Sequence, residues 1–425
     1  MSKVHLVPCM ILVILSASLV ILPCVNAASS TNWSKTYGGP DNDRAFSIIQ
    51  NDDGGYTLVG TTLSYSTTGY VNALLLATDT DGELLWNQTY AGLGATYPCA
   101  FIQTNDDGYA LVGYSYDLEN TGSLYPWFAK TDDAGNLQWN KTYPELGSLI
   151  FNLVQTADGG YALVGYVTHS EELVSAWLAK TDANGNLTWT QEYGTSGDNE
   201  LYAVIPNSDG GYTLAGYTTA SGAGDEDFWL IKTDSSGNMQ WNKTYGTSNF
   251  DMLNSLIQTT DGGYALIGYS TYTNTTSDDY LLIKTNFLGA MEWNQTYGES
   301  NIDEAFSGIQ TADGGYALTG VTVTSDGIGN AWLVKTDSTG NILWNQTYGG
   351  STDSVLYSII QVTNNGYVLA GFTNSSSNGQ DVWLVKTDEN GVIPEFSGFF
   401  ILPLLAVCTL FAAIVLKKTI TKKTL

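Results

Sequence analysis

The chain is short of positive charge. Of its 425 residues only 15 are Lys or Arg, against 42 Asp and Glu, and Arg44 is the one arginine. Lys3, Lys417, Lys418, Lys422 and Lys423 lie near the ends, so residues 28–396 carry 10 bases against all 42 acids, a formal charge of −32. Such a surface repels phosphate, which excludes nucleic acid as a partner and disfavours anionic lipid headgroups. A single arginine also excludes the several-arginine grip on a substrate carboxylate that a sialidase needs. Histidine is nearly missing. His5 sits in the first residues, and His169 alone remains, which argues against His-ligated zinc and against Ser-His-Asp catalysis. Cys9, Cys24 and Cys408 fall in the terminal segments, leaving Cys99 without an internal disulfide partner.

Long apolar runs occur only at the two ends. A basic start, the run from Leu6 to Val25 and the small-residue sequence Val25-Asn26-Ala27 have the layout of a secretory signal peptide over residues 1–27, so the chain is expected to be exported. Phe399 to Leu416 is an uncharged run with four lysines after it. It predicts one transmembrane helix with a basic cytoplasmic tail, anchoring the rest on the extracellular face of the cell membrane. Just ahead of it stands Pro394-Glu395-Phe396. Residues 394–425 thereby resemble PEF-CTERM sorting signals, in which the tripeptide, the apolar span and the basic tail are read by an archaeosortase. That resemblance implies cutting near the tripeptide and exchange of the tail for a lipid anchor.

The middle of the chain is repetitive. Aligned on Tyr56, Tyr109, Tyr161, Tyr212, Tyr264, Tyr316 and Tyr367, residues 28–393 read as seven units of about 52 residues. Each has room for four short strands: a mixed inner strand, a Gly-Tyr-x-Leu-x-Gly strand, a Trp-Leu-x-Lys-Thr strand and an outer Trp-Asn-x-Thr-Tyr strand. Four strands per repeat predict an all-β fold, a single seven-bladed β-propeller. The seventh unit lacks an outer strand, and Trp33-Ser-Lys-Thr-Tyr37 precedes the first complete unit, so the N-terminal strand is expected to complete the last blade. The units resemble propeller repeats of exported bacterial and archaeal proteins, which implies fold and surface location and no single activity.

The repeat supplies candidate residues whose bland explanations are strong. Asp43, Asp251 and Asp303, with Asp353 displaced by one, recur where the chain enters the inner strand, and several oxygens converging there would suit Ca²⁺. The competing reading is local capping. The third-strand lysines, Lys130 to Lys386, are expected to pair with nearby acids, and the tryptophans to pack between blades. Asn87, Asn140, Asn242, Asn294 and Asn345 match the glycosylation sequon on outer strands, where modification remains accessible after folding. Long loops between second and third strands carry Tyr65, Tyr70, Tyr116, Tyr125, Trp127 and Tyr272, aromatic rings suited to stacking on a sugar or anchoring a protein. The residue set favours a non-enzymatic, surface-anchored module binding an envelope glycan or surface protein, or serving as envelope structure, with no required cofactor. The alternative is an extracellular polysaccharide hydrolase or lyase using loop carboxylates.

Overall fold

In the computed structural model, residues 32–393 are described apart from 67, 119–121, 144–147, 171–172, 272–276, 299–301, 364 and 375–378. Every regular element among them is a strand, and there are 28. The inner strands are Asp43–Gln50, Thr96–Gln103, Ser148–Gln155, Gly197–Pro206, Phe250–Gln258, Asp303–Gln310 and Ser354–Gln361. Each packs against the next, and the last returns to the first, so they form a closed ring around a central axis. Three further strands run outward from each by antiparallel pairing. This radial arrangement is a β-propeller.

The pairing corrects the expected count of sheets. The strands make six hydrogen-bonded sheets rather than seven, five of four strands and one of eight. Leu173 and Val174 pair in parallel with Gly197 and Asp198, which fuses the third and fourth repeats across their border. The cause is length: the second strand of the third repeat runs ten residues, Tyr161–Ser170, and its hairpin partner Leu173–Thr181 tracks it far enough to meet the neighbouring inner strand. No helix occurs among the described residues and none of them forms a span able to cross a membrane as a helix, while the expected C-terminal transmembrane helix over 399–416 lies outside them. Residues 1–27 and the Pro394-Glu395-Phe396 signal also lie outside the described residues.

The strand Trp33–Tyr37 pairs antiparallel with Gln380–Lys386, setting Trp33 opposite Lys386 and Tyr37 opposite Val382. A free edge on the last sheet is thereby covered. Burial depends on position in the sheet. Second and third strands such as Tyr56–Thr62 and Asn72–Thr78 are buried along their whole length, which explains their continuous Val, Leu, Ala and Thr, whereas outer strands are more exposed and in places alternate, as Leu187–Tyr193 does.

Each border between repeats is closed by the same pair of contacts. The tyrosine ending an outer strand donates its hydroxyl to a glycine carbonyl in the next repeat's outer hairpin: Tyr37 to Gly82 at 2.6 Å, Tyr90 to Gly135 at 2.6 Å, Tyr193 to Gly237 at 2.6 Å, Tyr348 to Gly391 at 2.6 Å, and likewise Tyr143, Tyr245 and Tyr297. The tryptophan at the start of that strand lies over the same glycine, so that a Cβ at Gly237 would meet the Trp189 ring at 2.8 Å. The glycine is also required by its backbone, at φ 78°. The turn is set by its aspartate, as where Asp234 Oδ1 accepts from the Ser236 and Asn238 amides at 2.9 Å. In five repeats the third-strand lysine pairs with the aspartate of its own inner hairpin, as Lys180 with Asp158 at 2.9 Å and Lys284 with Asp261 at 2.8 Å, whereas Lys386, whose hairpin has no aspartate, donates to the Thr80 carbonyl at 3.2 Å.

Gly159 and Gly237 share a left-handed backbone, but only Gly237 lies under a ring. Gly237→Ala should therefore destabilise the chain by roughly 1–3 kcal/mol more than Gly159→Ala, the overpacking increment alone, in denaturant unfolding of the two variants.

Candidate functional site at the ring axis

In every inner strand the register slips by one residue against its neighbour, between Ala45 and Ser47 in the first repeat and between Leu356 and Ser358 in the last. The residue left over is Phe46, Cys99, Phe151, Tyr202, Asn254, Phe306 or Tyr357 in turn. A bulge re-aims its extra side chain, and here all seven line one cavity at the axis, of about 400 Å³ and open to solvent. Opposite each bulge stands the recurrent second-strand glycine. At Gly60 a Cβ would lie 1.7 Å from the Arg44 carbonyl oxygen, and at Gly216 1.8 Å from that of Glu200, so only glycine admits the bulged strand.

The cavity wall is aromatic and small-polar. Phe151 and Tyr202 stack with centroids 4.7 Å apart, Phe306 and Tyr357 approach at 4.9 Å, and Tyr97 stacks on Tyr114 at 5.2 Å. Ser47, Asn152, Ser255, Ser307 and Ser358 stand between the rings. Some of these stitch neighbouring inner strands together, Asn152 donating to the Tyr202 carbonyl at 3.0 Å and Asn254 to that of Ala305 at 2.8 Å. Cys99 shares this wall, and burial pushes its thiol up to about 12, so it stays protonated and unreactive near neutral pH.

Charged groups gather two residues before the bulges. Arg44 stacks on Phe372 at 4.9 Å and donates to Gln380. Tyr202 donates to Glu200 at 2.6 Å, and burial raises the Glu200 carboxyl. Glu304 is pushed up to about 7 by burial and by Asp278, and Glu226 to about 7 by burial and by Asp225, Asp198 and Glu200.

The loop aromatics are distributed differently. Trp127 is fully buried between its neighbouring strands and cannot meet a ligand, since its third-strand position packs both faces of the sheet. Tyr65 is half-buried and donates to the Gly38 carbonyl at 3.1 Å. Tyr116 is half-buried and meets the cavity residues Tyr97 and Tyr114, each at 6.1 Å. Tyr125 is half-buried, Tyr70 is exposed and Tyr272 lies outside the described residues. Asn140, Asn242, Asn294 and Asn345 are exposed and Asn87 half-buried on their outer strands.

The acids entering the inner strands do not converge as a set. No three Asp, Glu, His or Cys side chains gather as ion ligands among the described residues. Two cap their own loops: Asp43 accepts from the Gly39 amide at 3.0 Å and Asp251 from that of Thr247 at 2.7 Å. Asp303 is buried, and exposed Asp353 accepts from the Gly329 amide at 3.0 Å. The position equivalent to Asp43 in the last repeat is Ser354, whose Cα opposes Thr373 as that of Asp43 opposes Thr62.

Motif reasoning passes over the bulge residues, although each stands fourteen positions ahead of the recurrent glycine. That constant offset is the signal that locates them.

No protein-family model and no curated protein matches the sequence. Solved structures with similar folds include a puromycin hydrolase, at TM-score 0.49 and 14% identity over 82% of this chain and 52% of that one. BBS1N in complex with ARL6DN is similar at 0.45 and 11%, covering 86% and 98%, and Sqt1 from Chaetomium thermophilum at 0.44 and 11%, covering 84% and 99%. Likeness at this level carries no functional argument, and the propeller assignment rests on the ring itself.

Because the folded state holds the Glu304 proton more tightly than an ordinary carboxyl of 4.5, the associated stability is present at low pH and lost as pH rises through about 7. Glu304→Gln should flatten the decline in denaturation midpoint across that window.

Proposed function

We propose that this propeller is a non-enzymatic binding module whose ligand, a neutral glycan chain, sits on the axial cavity. The observation that carries the reading is the ring of bulged residues: seven repeats each direct one side chain to a shared, open, aromatic-lined site. Its volume of about 400 Å³ falls in the range of small-ligand sites, flat rings supply stacking faces for sugars, and Ser and Asn supply hydrogen bonds between them. The charge of −32 over residues 28–396 disfavours anionic polysaccharides and leaves neutral ones. Export supports an envelope glycan as the ligand. Export itself rests on the layout of residues 1–27, and processing near Pro394-Glu395-Phe396 rests on that tripeptide with its apolar run and lysine tail.

A hydrolase reading is favoured by one observation, the raised carboxyl of Glu304 beside Asp278, which would keep an acid protonated near neutrality. The two readings separate on product. Neutral oligosaccharides titrated against the full chain should bind by calorimetry without release of new reducing ends, and Phe151→Ala with Tyr202→Ala should weaken binding at least about tenfold, since stacked rings contribute on the order of 1 kcal/mol each. Tyr70→Ala should leave it unchanged. Binding that tolerates the cavity variants but fails in the loop variant would move the site outward, and reducing ends that vanish in Glu304→Gln would make the protein an enzyme. Mass spectrometry of the chain from its native host should find an N-terminus at Ala28 and no residues beyond the Pro394-Glu395-Phe396 region; an intact Leu425 would rule out the processing.

A further inference from the structure

Away from the axis, two buried carboxylates meet at the border between the fourth and fifth repeats. Asp227 begins a third strand and Asp251 stands second in the next inner strand; they are 1% and 0% exposed. Gly246, which links the two repeats, lies beneath both: a Cβ there would be 2.0 Å from Asp227 Oδ1 and 2.7 Å from Asp251 Oδ2. The two carboxylates thus share the space of one missing methyl group. Gly246 has no left-handed backbone, so its conformation does not demand glycine; the carboxylates do.

Each carboxylate spends one oxygen on its loop. Asp227 Oδ2 accepts from the Gly224 amide at 3.1 Å, and Asp251 Oδ2 from the Thr247 amide at 2.7 Å and hydroxyl at 3.3 Å. The other oxygen of each, Oδ1, is buried without a hydrogen bond. Only hydroxyls, those of Ser270 and Thr247, ease the charge of Asp251 from side chains, and no Lys, Arg or His among the described residues contributes to either group. Burial raises both carboxyls, and Asp227 adds to the rise at Asp251. A pair of buried anions without a counter-charge is strongly unfavourable. Something positive belongs between or beside them.

We propose that Asp227 and Asp251 hold a hard divalent cation, with Ca²⁺ the best fit, at this inter-repeat border. The donors are oxygen only, with no histidine or cysteine near, which selects Ca²⁺ over zinc or copper. Asp227 opens onto a cavity of about 490 Å³ that Thr244, Thr247, Asn294 and Thr296 also line, leaving room for water to complete the coordination shell. The site bridges two repeats, so the ion acts as a clamp on the ring. It is independent of any ligand at the axis.

The same geometry recurs where acids recur. A Cβ at Gly38 would lie 2.4 Å from Asp381 Oδ1 and 2.7 Å from Asp43 Oδ2, and one at Gly298 2.2 Å from Asp279 Oδ1 and 2.9 Å from Asp303 Oδ2. Elsewhere neutral groups take these places. Asn199 replaces the inner-strand acid and has its Oδ1 satisfied by Thr218 at 2.6 Å, while Asn330 and Ser354 replace the pair at Gly349. The protein thus contains its own neutral versions, which makes Asp→Asn a substitution the fold already accommodates.

The test is calorimetric titration of CaCl₂ into the chelator-stripped full chain, paired with thermal unfolding. Wild type should bind Ca²⁺ and unfold at a higher midpoint with it; Asp251→Asn, and separately Asp227→Asn, should each bind one equivalent fewer and show a smaller shift. Absence of binding in wild type, or unchanged stoichiometry in both folded variants, overturns the proposal. A wild-type midpoint that rises on acidification but ignores Ca²⁺ also overturns it and assigns a shared proton to the pair. Should either variant fail to fold, the wild-type stoichiometry and midpoint shift still decide.

Discussion

The ring depends on a contact made once at each border: a tryptophan laid over a glycine, with a tyrosine hydroxyl on that glycine's carbonyl. The contact couples three demands on one residue. The outer hairpin needs a left-handed position, the ring needs a flat floor, and the hydroxyl needs an exposed carbonyl. Only glycine meets all three. Because donor and acceptor belong to adjacent repeats, no repeat satisfies its own tyrosine, and the array is stable only as a closed set.

Within that frame the repeat performs two tasks with different residues. The Tyr, Trp, Lys and hairpin Asp positions are spent on the scaffold, each with a partner in place. The bulged position is held to no single duty of that kind, although Asn254 joins two inner strands, and it varies: Phe, Cys, Phe, Tyr, Asn, Phe, Tyr. The second-strand glycine therefore serves the cavity indirectly, by giving the bulged strand room. Charge is partitioned the same way. In five repeats a hairpin acid is neutralised by a lysine on the face bearing the inner hairpins, while Glu200, Glu226 and Glu304 keep raised carboxyls toward the other.

Period, strand order and turn chemistry were legible in the sequence because they are local and repeated. Asp234 with Gly237 specifies its hairpin within a few residues, and Trp33-Ser-Lys-Thr-Tyr37 declares itself an orphaned outer strand. The fused third and fourth repeats were not legible, since two parallel pairs at Leu173 and Val174 arise from strand length that no motif marks. Trp127 looked like a loop aromatic but sits at a third-strand position, where both faces are covered. The cavity residues escaped because their types differ from repeat to repeat, and only their offset from a glycine is constant. The partners of the inner-strand acids escaped because Asp227 and Asp251 are brought together by the border between repeats rather than by spacing.

The pairing of Trp33–Tyr37 with Gln380–Lys386 sets an order of events for the chain. A ribosome delivers the first of these strands before any blade exists, and the strand waits unpaired until the last repeat has emerged. Until then the array is an open arc, with the edge of Gln380–Lys386 uncovered and the Trp344 and Trp33 borders at opposite ends of an incomplete circle. Ring closure is the longest-range pairing in the molecule and the slowest kind to form, so it belongs at the end of folding rather than at its nucleus. A truncated chain lacking either end would retain most of its hydrogen bonds yet present a raw strand edge, and would add to another copy of itself instead of closing.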